Sequence, residues 1–128
     1  MKISTTMLDY NLGQITLTYF AEHNEMPEDL SDFDSYIETM RHDAQAAGDL
    51  PWLLLGLQQL INDPEIDLAA HGGGVFPLSA DDVRDIIIHA LYKLNAPGGA
   101  AAPLIPVTLA YMTGEDWKAH RATLGTLA

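Results

Sequence analysis

The chain of 128 residues carries 18 Asp and Glu against 6 Lys and Arg, a formal charge of −12, with 48% apolar residues and no cysteine. That length and apolar share suit one packed domain spanning 1–128, and the missing cysteine excludes disulfide frameworks, thiolate metal sites and cysteine nucleophiles. So acidic a chain repels nucleic acid and anionic membrane and attracts basic proteins, so neither direct nucleic-acid binding nor membrane binding is expected.

The N-terminal "MKISTTMLDYNL" lacks the apolar run of a signal peptide, and "WLLLGL" is far too short to cross a bilayer. A soluble, cytoplasmic protein is the expectation. From there, "TTMLDYNLGQITLTYF" places Leu8, Leu12, Ile15 and Tyr19 at helical spacing, with Thr5 or Thr6 as N-cap. The inner "QITLTYF" also alternates as a strand would, but the longer apolar stripe favours helix over 14–20. In "LSDFDSYIETMRHDAQAAGD", Ser31 or Asp32 caps a second helix, Phe33, Tyr36, Ile37, Met40 and Ala44 form its buried stripe, and Gly48 stops it.

The third helix follows in "DLPWLLLGLQQLINDP", with Asp49 as cap, Pro51 in the first turn and Asn62-Asp63-Pro64 at the end. Trp52, Leu53, Leu54, Leu55, Leu57, Leu60 and Ile61 leave it almost no polar face, which predicts the central helix of the fold. After a Gly-rich loop at 71–74, Ser79 caps a fourth helix whose inward face is Val83, Ile86, Ile87, Ala90, Leu91 and Leu94. A Pro/Gly/Ala linker at 95–106 follows, then "PVTLAYM", which suits a short helix or a strand across 104–112. Thr113 caps a last helix that packs Trp117 and Leu124. The expected fold is all-α, a small bundle of five or six helices.

Three chemical readings compete. His71-Gly72-Gly73-Gly74 matches the oxyanion loop of lipases and esterases, but the chain has no G-x-S-x-G and no βα alternation, so the run reads as a hinge between helices. The five histidines show neither H-E-x-x-H nor repeated E-x-x-H spacing, and Asp81, Asp82 and Asp85 are explained by the positive end of a helix. No catalytic residue, metal ligand or cofactor is therefore assigned. What remains is the acid: residues 22–49 hold nine carboxylates against Arg41 alone, and 63–85 hold six against Arg84.

Carboxylates fixed on a helical surface can occupy a groove built for phosphates, because they displace the same counterions that DNA displaces. The candidate partner-binding residues are Glu22, Glu25, Glu28, Asp29, Asp32, Asp34, Glu38 and Asp43, with Asp63, Glu65 and Asp67 extending the face. The run "EIDLAAHGGGVFPLSADDVRDIIIHALYKL" resembles the Ocr-type anti-restriction proteins of bacteriophage, small acidic mimics of bent DNA. The matching positions are Ile66, Asp67, Leu68, Pro77, Asp82, Val83 and Tyr92, with one extra residue between Pro77 and Asp82. The resemblance implies a non-enzymatic inhibitor of phage or mobile-element type that fills the DNA site of a restriction or other defence protein. Here the charge is weaker and the last third of the chain is neutral to basic. Two alternatives stand beside it: an immunity or antitoxin-like partner of one basic toxin, anchored by Trp52 or Trp117, and a small helical enzyme or metal protein. Self-association into a homodimer is left open.

Overall fold

The computed structural model describes residues 1–72, 76–95 and 107–124. Five α-helices dominate: α1 (Thr5–Phe20), α2 (Asp34–Ala47), α3 (Leu50–Asn62), α4 (Ala80–Asn95) and α5 (Gly114–Leu124). Two 3-10 turns, Leu30–Phe33 and Leu68–His71, precede α2 and α4 respectively, and two three-residue strands, β1 (Lys2–Ser4) and β2 (Thr108–Ala110), pair in parallel. The all-α expectation holds for the architecture.

Helix α1 resolves the ambiguity at 14–20. Leu8, Leu12, Ile15 and Tyr19 are all buried along one stripe, so helical period wins over the β-branched composition. Its cap is Ser4 rather than Thr5 or Thr6: Ser4 is extended, and its hydroxyl accepts from the Met7 N–H at 3.1 Å. Ser4 is thereby both the end of β1 and the start of α1.

At α2 the cap is also displaced. Asp29, not Ser31 or Asp32, accepts from the Ser31 N–H at 2.9 Å and starts the 3-10 turn that leads into the helix. Phe33, Ile37, Met40 and Ala44 are buried as predicted, and Tyr36 is half-buried. Gly48 ends α2 with φ +81°, and the Asp49 N–H reaches back to the Ala44 carbonyl at 2.8 Å. That six-residue closure needs the left-handed conformation that glycine adopts without a Cβ penalty.

Helix α3 is central: it packs on α1, α2, α4 and β1, and Trp52, Leu53, Leu55, Leu57 and Leu60 are buried. Gly56 is where side chains of α1 and β1 press onto it. A Cβ built there would lie 2.5 Å from Leu8 Cδ2 and 3.2 Å from Ile3 Cγ2, so the Leu8 and Ile3 side chains fill the space that a side chain at 56 would need. The fourth helix follows its prediction closely. The Asp82 N–H donates to Ser79 Oγ at 3.1 Å, and Val83, Ile86, Ile87, Ala90 and Leu94 are buried.

The ambiguous 104–112 segment is a strand where it is described. Thr108–Ala110 pairs with Lys2–Ser4 in the register Lys2↔Thr108, Ile3↔Leu109 and Ser4↔Ala110. This pairing places α5 beside α1, capped as expected by Thr113, whose hydroxyl accepts from the Asp116 N–H at 3.1 Å. Of the Gly-rich loop, His71 closes the second 3-10 turn and the Gly72 carbonyl accepts from Thr16 Oγ1 at 2.8 Å. The rest of that loop, at 73–74, and the linker at 96–106 lie outside the described residues, and α4 runs through Asn95 into the first linker position.

Candidate partner-binding surface

The acidic surface is decided as much by where the cations go as by where the acids stand. Each of the three arginines reaches from its own element to the last turn of another helix. Arg41 donates to the Lys93 carbonyl of α4, Arg84 to the Ile61 carbonyl of α3 at 3.0 Å, and Arg121 to the Ala47 carbonyl of α2 at 2.6 Å. The last carbonyls of a helix lack intrahelical donors and carry the negative end of its dipole, so a guanidinium there satisfies both needs. Lys93 pairs with Asp34 at 3.1 Å. Four of the six cations therefore serve internal contacts.

Among the predicted partner-binding residues, Glu22, Glu25, Glu28, Asp29, Asp32, Glu38, Asp43, Glu65 and Asp67 are exposed, whereas Asp34 and Asp63 are half-buried. The set divides by duty. Asp29 and Asp67 cap the two 3-10 turns, and Asp63 turns the chain by accepting from the Glu65 N–H at 3.0 Å. Bonding to the Ser31 backbone and hydroxyl holds the Asp29 carboxyl below the usual range. Glu38 faces Arg41 at 3.5 Å, and Asp43 faces the ring of His42 at 3.4 Å.

Asp34 belongs to the α2–α4 contact more than to the surface. His89 Nε2 lies 2.7 Å from one carboxylate oxygen and Lys93 Nζ lies 3.1 Å from the other. Partial burial pushes this carboxyl up, but the hydrogen bonds from His89 and Lys93, with their charges, outweigh it and leave the group below its ordinary value.

Several acids carry no ion pair among the described residues, and four of them, Glu22, Glu25, Glu28 and Asp32, form one group. They sit together in the connection from α1 to α2, with Asp29 beside them. Their field reaches the core edge, where burial first, and then the charges of Asp32 and Glu25 among others, raise the Tyr19 hydroxyl above its usual value. Helix α2 itself is sparser than expected. It spans about 21 Å at 1.5 Å per residue and offers three carboxylates, whereas DNA presents one charge per ~1.7 Å of axis. Carboxylates are denser in the connection, five within residues 22–32, than along the helix.

Each histidine has a partner, and His42, paired with Asp43, is exposed. His23 stacks on Tyr19 with ring centroids 4.0 Å apart and donates to its carbonyl, His71 meets Asp9 at 3.2 Å, and His120 reaches the Lys2 carbonyl at 3.1 Å. Among the described residues no group of three or more His, Asp or Glu converges as metal ligands do. No helix among them is long and apolar enough to cross a membrane.

Two expectations about anchors change. Trp52 and Trp117 are buried, at 3% and 4% exposure, so neither projects as an interface anchor. The aromatic rings that face water are tyrosines, with Tyr92 65% exposed beside Ile88 on α4, and Tyr10 on α1. Most positions of the anti-restriction resemblance have local duties: Asp67 caps a turn, Asp82 lies in the first turn of α4, and Leu68 and Val83 are buried. Tyr92 is the aromatic member of that set and is displayed to solvent, as are Asp67 and Pro77. Sequence reasoning also missed a groove bordered by α1, the α2–α3 corner and α5, because its lining comes from three distant segments.

Compared with family models, with curated proteins and with solved structures, the chain matches none.

Proposed function

We propose that this chain is a non-enzymatic inhibitor that offers carboxylates to the basic, DNA-handling groove of another protein. One observation carries the reading: Glu22, Glu25, Glu28 and Asp32 stand exposed and unpaired within eleven residues, while all three arginines are turned onto helix ends. A folded scaffold holds these anions in place, so binding releases counterions from the partner without first ordering the chain. The resemblance of 65–94 to phage anti-restriction proteins supplies the class of target, a restriction or related defence enzyme.

The test is inhibition of plasmid cleavage by restriction enzymes at low and moderate salt. Raising salt from about 50 to 200 mM is expected to weaken inhibition on the order of tenfold or more. The triple variant Glu25→Lys, Glu28→Lys, Asp32→Lys is expected to abolish it with no loss of fold, since none of the three has an ion-pair partner among the described residues. Inhibition that survives the triple reversal overturns the proposal.

A second reading, an immunity-like protein with one cognate basic toxin, is favoured by Ile88 and Tyr92 exposed on α4. An exposed tyrosine beside an exposed apolar side chain is the kind of anchor that carries binding energy in a tight protein interface. One nanomolar partner, lost in Tyr92→Ala, would select this reading over broad mimicry.

A further inference from the structure

The groove of about 740 Å³ opens between the first turns of α1, the α2–α3 corner and the first turns of α5. Its size falls within the ~300–1,000 Å³ of small-molecule sites, and its walls are largely apolar. Buried Met7 and Trp117 line it together with Tyr10, whose ring is kept 69% in water.

The charge of this groove is opposite to that of the chain. Arg121 and Lys118 both line it, and the carboxylate present, Asp49, is already bonded by Arg121 and by the Trp117 indole N–H at 2.9 Å. Arg121 is further committed to the Ala47 carbonyl. Lys118 has no ion pair among the described residues, is exposed, and lines the groove beside its apolar wall. In a protein of charge −12, a net positive apolar groove selects for a ligand that is apolar with one anionic end.

We infer that this groove binds a small amphiphile with a ring-sized apolar body and a single carboxylate. The body lies against Trp117, Met7 and Tyr10, and the carboxylate meets Lys118. The site is separate from the acidic connection, so it stands whether or not that surface inhibits a DNA enzyme. Gly114 lines the groove and offers a way to narrow it: a Cβ there meets nothing within 4 Å, so a larger side chain is accommodated at its wall without striking the fold.

The chain has two tryptophans, so Trp52→Phe leaves Trp117 as the indole reporter. Its emission is followed while 4-phenylbutyrate, 4-phenylbutanol or 4-phenylbutylamine is added. The expected result is a saturable change with the carboxylate, at least about fivefold weaker with the alcohol and absent with the amine. Lys118→Glu is expected to weaken carboxylate binding about tenfold, and Gly114→Leu to abolish it while the thermal midpoint holds. Calorimetry on the unaltered protein repeats the comparison without relying on Trp52→Phe. Equal binding of all three compounds, no saturation by about 10 mM, or a response untouched by Gly114→Leu overturns the inference. So does a concentration-dependent dimer dispersed by Gly114→Leu, which would seat a second copy in the groove.

Discussion

The bundle formed by α1 to α4 and the end formed by α5 and the strand pair are held by different forces. In the bundle, each helix buries a stripe of Leu, Ile, Met or aromatic side chains, and α3 touches all three of its companions. In α5, Trp117 is the buried residue, and the attachment runs through Asp49, Arg121 and six strand residues. Burial is non-directional and scales with area, whereas the Asp49 contacts are few, directional and placed at one corner. Removing volume should therefore loosen the whole bundle, and removing one carboxylate should release one end.

The largest effect is expected from Leu53→Ala in the fully buried middle of the bundle. A loss of about 2–5 kcal/mol is expected in denaturant unfolding, with the slope unchanged. Asp49→Ala is expected to cost about 2 kcal/mol. It strips the Trp117 indole and Arg121 of their shared acceptor. Hydrogen exchange should then quicken in α5 while α3 keeps its protection. If instead α3 and α5 lose protection together, the two regions are one cooperative unit and the contrast fails.

The smallest effect lies at the α2–α4 seam and depends on pH. The folded-state carboxyl of Asp34 is held below its unfolded value, so its stabilisation is present above the ordinary carboxylate range and is lost as pH falls through the folded value. Asp34 is one-third exposed, so the contribution is below about 1 kcal/mol. Thermal midpoints of the parent protein and Asp34→Asn should differ at neutral pH and converge in acid. A gap that widens in acid would show that the contact with His89 and Lys93 does not favour the ionised form.

Local pattern made much of the fold legible. Leu8, Leu12, Ile15 and Tyr19 announce α1, and Val83, Ile86, Ile87, Ala90 and Leu94 announce α4, because a helix needs only its own period to define a buried face. Caps were less legible. Ser79 and Thr113 cap as read, but Ser4 and Asp29 do so where neighbouring Thr5, Thr6, Ser31 and Asp32 are chemically as able, and the choice depends on the backbone angle at which the chain enters. Asp49 shows the reverse case: it stands at the N-cap position of α3 without a capping bond, because Trp117 and Arg121 claim its carboxylate. The candidate surface was legible as composition, but not in its focus. Nothing local distinguishes Asp32, which has no ion-pair partner, from Asp34, which is engaged by residues 55 and 59 positions further on.

By itself the amino-acid sequence determined the helical class, the inward stripes, the stop at Gly48 and the excess of acid, since these depend on neighbours within a few residues. Tertiary structure decided that Asp34 and Asp49 are engaged and that the arginines lie on helix ends, because those partners arrive from distant helices. It also decided the β1–β2 pairing, the close contact at Gly56 and the groove under Tyr10. Each of these depends on segments meeting in space across tens of residues, and that meeting is set by how the apolar stripes pack together rather than by any short pattern in the chain.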